Sequence, residues 1–139
     1  MTGTVRTCIL VLWIAVSVTA LMGAGLVVVP RETFAVLALF GMAGRAPLDG
    51  YTDFMHGVLG GTMLGWMAMF AGLLKGPIRA GEPWAIRLGI VSTLVWFLPD
   101  TLRSASLGQL ENVWLNVFSV GFFLVPLVVL ARVGGRRGQ

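Results

Sequence analysis

A chain of 139 residues that is 57% hydrophobic and 12% charged lacks the polar surface of a water-soluble domain, in which about a quarter of the residues carry charge. Its ten basic residues outnumber its six acidic ones, for a formal charge of +4, but they stand at the ends of apolar runs and form no patch, which argues against a nucleic-acid partner. A single cysteine, Cys8, excludes an intramolecular disulfide framework, and a single histidine, His56, excludes a bis-histidine haem or a histidine-cluster metal site within one chain, so no cofactor or metal is expected.

The first apolar run, Cys8 to Val29, lies between Arg6 and Arg31 with no charge inside it. A hydrocarbon core needs about 20 apolar residues in a helix, so this run is long enough to span and Pro30 closes it. A cleaved secretory signal is the rival reading, since Arg6, an apolar run and small residues at 20–25 imitate one, but the run is long for that purpose. Thr33 to Met42 is apolar over only half a span and leads into Gly41, Gly44, Pro47 and Gly50, which predicts a short interfacial or re-entrant helix followed by turns. Phe54 to Leu74 is the second span, with His56 as its one ionisable residue.

Gly76 to Pro83 reads as a loop because it holds Pro77, Gly81 and Pro83. The third span, from Trp84 to about Leu102, is the irregular one. Arg87 must snorkel to one interface, Asp100 must lie near the other, and Pro99 is expected to interrupt the helix, with Asp100 opening a separate turn. Asn112 to Ala131 is the fourth span, bent at Pro126, and Arg132 to Gln139 is a basic tail. The chain is thus expected to be an all-α, polytopic membrane domain of four transmembrane helices, with the short helix between the first two.

Arg6, Lys75, Arg79, Arg87, Arg132, Arg136 and Arg137 fall on one side of such a bundle, and Arg31, Arg45 and Arg103 fall on the other with five acidic residues. Basic residues are retained on the cytoplasmic side, so both termini are expected in the cytoplasm of a cell with a plasma or inner membrane.

On the second span Gly57, Gly61 and Gly65 recur at every fourth position, with Gly60 and Gly72 near the same face. Small residues let helix backbones approach in lipid, so these five glycines are expected to form a packing groove, chiefly against helices of the same chain. Met55, Met63, Met67 and Met69 read as packing residues, because Met67 and Met69 point in different directions.

Ionisable residues within spans are costly and mark candidate sites. Asp53 and His56 lie near the glycine face; Trp96, Asp100 and Arg103 share a stripe on the third span; Glu111, Asn112 and Asn116 begin the fourth, with Asn112, Asn116, Ser119 and Phe123 on one stripe. Antiparallel spans bring these stripes to one depth. The candidate site is therefore a polar cluster of Asp53, His56, Trp96, Asp100, Arg103, Glu111, Asn112 and Asn116 at the outer mouth of the bundle. Local structure offers a competing account: acidic and amide residues suit helix starts, and Asp100 at a helix end invites an ion pair with Arg103.

With Leu26 to Glu32 closing the first span, Gly60, Gly61, Leu64 and Gly65 in the second, and Asp100 to Arg103 before Ser106, Leu107 and Gly108, the chain resembles uncharacterised four-helix membrane proteins of bacteria. That resemblance implies the helix count and a bacterial inner membrane, and it carries no catalytic residues. DoxX-like proteins share the helix count alone. Small multidrug transporters are similar in size but place a glutamate in the first span, which this sequence lacks, and the polar and phenylalanine motifs of fluoride channels are missing as well.

Three functions compete. The first is a non-catalytic accessory, scaffold or subunit-type protein packed through its glycine-striped helix, with membrane lipid and either copies of itself or a larger membrane complex as partners. The second is a binding or transport protein that takes a lipid-like small molecule, a cation or a proton at the polar cluster. The third is an enzyme acting on a lipid or quinone, with His56 or Asp53 as base and Arg103 holding an anionic group. No nucleophile with its base, metal-ligand spacing or phosphate loop speaks for it.

Overall fold

The computed structural model describes residues 3–39 and 49–135, and every element in that part of the chain is helical. The elements are α1 (Gly3–Val28), α2 (Pro30–Leu39), α3 (Gly50–Leu73), α4 (Pro83–Ser106) and α5 (Leu110–Gly135). Four are long and apolar enough to cross a membrane: α1, α3 with its continuation to Ala80, α4 and α5. The protein is an all-α, multi-pass membrane bundle.

Each span begins before its expected first residue, and all but α1, which ends at Val28, also run past their expected last. Pro30 begins α2 rather than merely ending α1: its missing N–H is not needed in a first turn, and Thr33 closes the junction by donating from its hydroxyl to the Val29 carbonyl at 2.9 Å. The expected short helix at 33–42 is described as far as Leu39; its remainder and residues 136–139 of the basic tail lie outside the described residues, while Arg132 belongs to α5.

The loop expected at Gly76 to Pro83 shrinks to Gly81 and Glu82. Helix α3 runs on through a π-type turn, Leu74–Ile78, which contains Pro77. A widened turn shifts the bonding partner and makes room for a residue that cannot donate. Gly81, at φ +83°, then reverses the chain, and Pro83 starts α4 at a position that tolerates proline.

The break expected at Pro99 is also absent. Helix α4 is continuous to Ser106, so the ring costs one internal hydrogen bond without ending the helix, and Asp100 lies inside a helix rather than at the start of a separate turn.

Helix α1 packs along both α3 and α5, and α5 packs along α4. The backbones of α3 and α4 come together chiefly where the π-type turn meets α4, and elsewhere they stand apart. The apolar core is concentrated towards the same end: Cys8, Leu12 and Val16 of α1, Met67, Phe70, Leu74 and Ile78 of α3 and its continuation, Ala85 and Ile86 of α4, and Phe123, Leu127 and Leu130 of α5 are all buried. One end of the bundle is filled with hydrocarbon and the other is parted between α3 and α4.

The α1–α3 seam is closest at Gly23 and Gly60. A Cβ on Gly60 would lie 2.5 Å from the Gly23 carbonyl oxygen and 2.9 Å from Val27, so glycine is required there by space. Gly57, Gly61, Gly65 and Gly72 have nothing among the described residues within 4 Å of an added Cβ. Of the five glycines expected to pack within the chain, Gly60 alone meets a close neighbour among the described residues, because α1 crosses α3 along the edge of the stripe and not over its middle.

Candidate functional site

The site is built on the α4–α5 hairpin. At the end of α4 the Gly108 N–H donates to the Ala105 carbonyl and the Gln109 N–H to that of Ser104, while Gly108 adopts φ +71°. These two bonds define a Schellman ending, and the left-handed residue that it needs is supplied by glycine. The chain therefore turns back almost at once and α5 runs antiparallel to α4. Three interacting pairs are centred on Gly108: Ser104 with Asn112, Asp100 with Asn116, and Gly89, whose added Cβ would lie 3.2 Å from Leu127. The turn thus sets the register that brings the polar residues together.

Asp100 is the hub. Its Oδ1 accepts from Asn112 Nδ2 at 3.1 Å and from the Ser104 hydroxyl at 3.3 Å, and its Oδ2 accepts from Asn116 Nδ2 at 3.0 Å. Asn112 Nδ2 also meets Ser104 Oγ at 2.7 Å, and Asn116 Nδ2 meets Thr101 Oγ1 at 3.2 Å. Asn116 is 2% exposed, so these bonds satisfy a polar side chain that has no water to turn to. The ion pair expected between Asp100 and Arg103 is not what holds the carboxylate; Arg103 is exposed. Two amides and a hydroxyl take that role, and none of them neutralises the charge.

Beside this cluster a cavity of about 240 Å³ enters the parted end of the bundle. Helix α3 lines it with His56, Leu59, Met63 and Trp66, α4 with Trp96 and Asp100, α5 with Asn112, Leu115, Asn116, Ser119 and Phe123, and α1 with Thr19, Met22 and Leu26. Three of the lining rings adjoin one another. Trp66 lies 5.7 Å from Phe123 in a stacked arrangement and 5.5 Å from Trp96 with the planes tilted by 38°. The Trp66 indole N–H donates to Ser92 Oγ at 2.7 Å, which pins the ring across the gap between α3 and α4.

Five of the eight expected site residues share this cavity: His56, Trp96, Asp100, Asn112 and Asn116. Asp53, Arg103 and Glu111 are exposed and line none of it. Trp66, Ser104 and Thr101 were not expected. Their signal is helical spacing: Leu59, Met63 and Trp66 follow His56 at the third, seventh and tenth positions, and Ser104 follows Asp100 at the fourth. No set of three or more His, Cys, Asp or Glu side chains suited to a metal ion is found among the described residues.

Outside the spans, Asp49 caps α3 by accepting from the Thr52 N–H at 2.8 Å and from its hydroxyl at 2.7 Å. The Thr52 backbone N–H first, and its hydroxyl second, hold the Asp49 carboxyl below its ordinary range.

Neither a protein-family model, a curated protein nor a solved structure matches this chain.

Proposed function

We propose that this chain is a binding protein of the bacterial inner membrane that receives a lipid-like small molecule in the cavity between α3 and α4. The observation that carries this reading is the two-part lining, with carboxylate, amide and imidazole groups beside aromatic and aliphatic walls. Ligand sites typically combine an apolar wall with a few convergent polar groups. A volume of about 240 Å³ suits a headgroup and the start of a chain, with the rest of the chain lying among the helices.

The packed end of the bundle favours binding over conduction. Met67, Phe70, Leu74, Ile78, Phe123 and Leu127 are buried beyond the cavity, and a conducting path needs polarity through the midplane. Arg6, Lys75, Arg79, Arg87 and Arg132 gather at the packed end, so by basic-residue retention both termini are cytoplasmic and the cavity serves the outer side.

The test is ligand-induced thermal stabilisation of the full chain in maltoside micelles, using amphipathic molecules of positive, neutral and negative charge. At least one class is expected to raise the Tm of the wild type, and Ser119→Phe, which fills the cavity, is expected to abolish that rise. A rise retained in Ser119→Phe, or no rise with any class, refutes the reading.

A second reading, as an accessory subunit, has one observation in its favour: Gly61, Gly65 and Gly72 are exposed along α3 with open space in front of them. A backbone bare of side chains suits close approach by another transmembrane helix. Cross-linking from cysteines placed at 61 and 65 in native membranes tests it, and an absence of products at both positions counts against it.

A further inference from the structure

We infer that the polar end of the ligand is a cation of the alkylated-ammonium class, held by Asp100 and the two asparagines beside it. This rests on the binding reading above and narrows it to one charge.

Among the described residues, the lining contains one carboxylate, Asp100, and neither Lys nor Arg. His56 shares that lining, and Arg103, three residues from Asp100 in sequence, is exposed and absent from the wall. A charge in a low-dielectric setting is costly unless an opposite charge or strong hydrogen bonds meet it. Hydrogen bonds from Asn112, Asn116 and Ser104 ease that cost, but neutral donors do not cancel a carboxylate's charge.

Those bonds also decide what the amides have left to offer. A carboxylate only accepts, so each neighbouring amide must turn its NH₂ towards it, and both do. What remains of Asn112 and Asn116 for a ligand is chiefly carbonyl oxygen. Two ionised-carboxylate oxygens hold about four acceptor positions, of which three are used here. The polar end of the cavity is therefore rich in acceptors gathered around a carboxylate, so it disfavours phosphate, sulfonate and carboxylate headgroups and favours a donor or a positive charge.

The walls select among cations. Trp66, Trp96 and Phe123 line the cavity, and aromatic faces attract ammonium groups while alkyl substituents on nitrogen gain contact with the same rings. A hydrated divalent metal would find one carboxylate and an apolar wall, which is a poor exchange for its water shell. An alkylated ammonium loses little hydration and suits both halves.

The experiment measures binding of three probes of one shape to the full chain in dodecyl maltoside, whose headgroup has no charge. They are benzyltrimethylammonium, its neutral carbon isostere neopentylbenzene, and the anion benzylsulfonate. The ammonium is expected to bind on the order of tenfold more tightly than the isostere, with the sulfonate weaker still. Asp100→Asn is expected to remove the preference while neopentylbenzene still binds. Should that variant fail to fold, Trp96→Leu supplies the second arm, with a loss of preference expected as a cation–ring contact is removed.

Equal binding of ammonium and isostere, with Ser119→Phe blocking both, overturns the cation and leaves the cavity reading intact. No binding of any probe overturns both. Short-chain phosphatidylcholine that displaces the bound ammonium identifies a lipid headgroup as its source, and failure to displace it assigns the site to a free amine; either result upholds the inference.

Discussion

Asn116 and Asp100, sixteen residues apart, are joined by a 3.0 Å amide-to-carboxylate hydrogen bond that ties α5 to α4. Because Asn116 is almost wholly buried and neither Lys nor Arg stands in the cavity wall among the described residues, this bond is both a structural tie and part of the site. Its removal leaves a half-buried carboxylate short of a donor. Asn116→Leu is expected to destabilise the protein by about 1–2 kcal/mol, the scale of an interhelical hydrogen bond in a membrane protein. Adding Asp100→Leu should then cost less than Asp100→Leu does alone, since the orphaned carboxylate is gone. Unfolding in mixed micelles across the four-member cycle measures this, and strictly additive costs would show that the two side chains do not act together.

A second prediction separates two adjacent glycines. Gly60→Ala puts a methyl group 2.5 Å from the Gly23 carbonyl oxygen, a backbone atom that cannot rotate aside, so α1 and α3 must move apart. A loss of about 1–3 kcal/mol is expected from overpacking of this kind. Gly61→Ala meets open space and is expected to stay within about 0.5 kcal/mol of wild type in detergent. Equal losses at 60 and 61 by thermal unfolding would contradict the seam described here.

These glycines show what can be read from sequence and what cannot. Apolar runs bounded by charge located four spans, because the length of a helix in a bilayer is dictated by hydrocarbon thickness. Helical spacing correctly aligned Asp100 with Asn112 and Asn116, since a near-immediate turn leaves two helices one antiparallel register. The same arithmetic placed Gly57, Gly60, Gly61 and Gly65 near one face but not which of them α1 would cover, as the crossing line depends on Gly23 and Val27 in a distant segment. Pro77 and Pro99 read as breaks because propensity is local, whereas the helices around them are held by packing on either side of each ring. Arg103 was the natural partner of Asp100 by proximity in sequence. Arg103 remains exposed, while two amides on another helix reach the carboxylate first.

The start of α3 carries a pH-dependent cap. Thr52 holds the Asp49 carboxyl below its ordinary range, so the folded pKa is lower than the unfolded one. A carboxylate of this kind contributes its stabilisation fully above the unfolded pKa and loses it as pH falls through the folded value. Fraying of the first turn of α3 is thus expected only below the ordinary aspartate range, about pH 4. Amide hydrogen exchange of Thr52 and Asp53 should rise there beyond the intrinsic pH trend. Asp49→Asn should cap without the pH step, because its amide oxygen still accepts, and Asp49→Ala should fray at every pH. A pH step that persists in Asp49→Asn would assign it to another group.

Gly108 links backbone conformation to the site. At φ +71° it occupies a region where a Cβ crowds the following carbonyl, so Gly108→Ala is expected to cost about 1 kcal/mol even though the space around it is open. The larger consequence concerns register. The Ser104–Asn112 and Asp100–Asn116 pairs are centred on this residue, and relaxing the turn shifts one helix along the other at both pairs. Any ligand-induced rise in Tm should therefore fall in Gly108→Ala by more than its loss of stability explains. Gly81→Ala, at φ +83° in the turn near the packed end, provides the control: it bears a similar backbone cost and should leave that rise unchanged. If the two variants reduce the ligand effect equally, the turn at Gly108 contributes only stability, and the alignment of Asp100 with Asn116 must be maintained by the packing of Leu127 against Gly89 further along the hairpin.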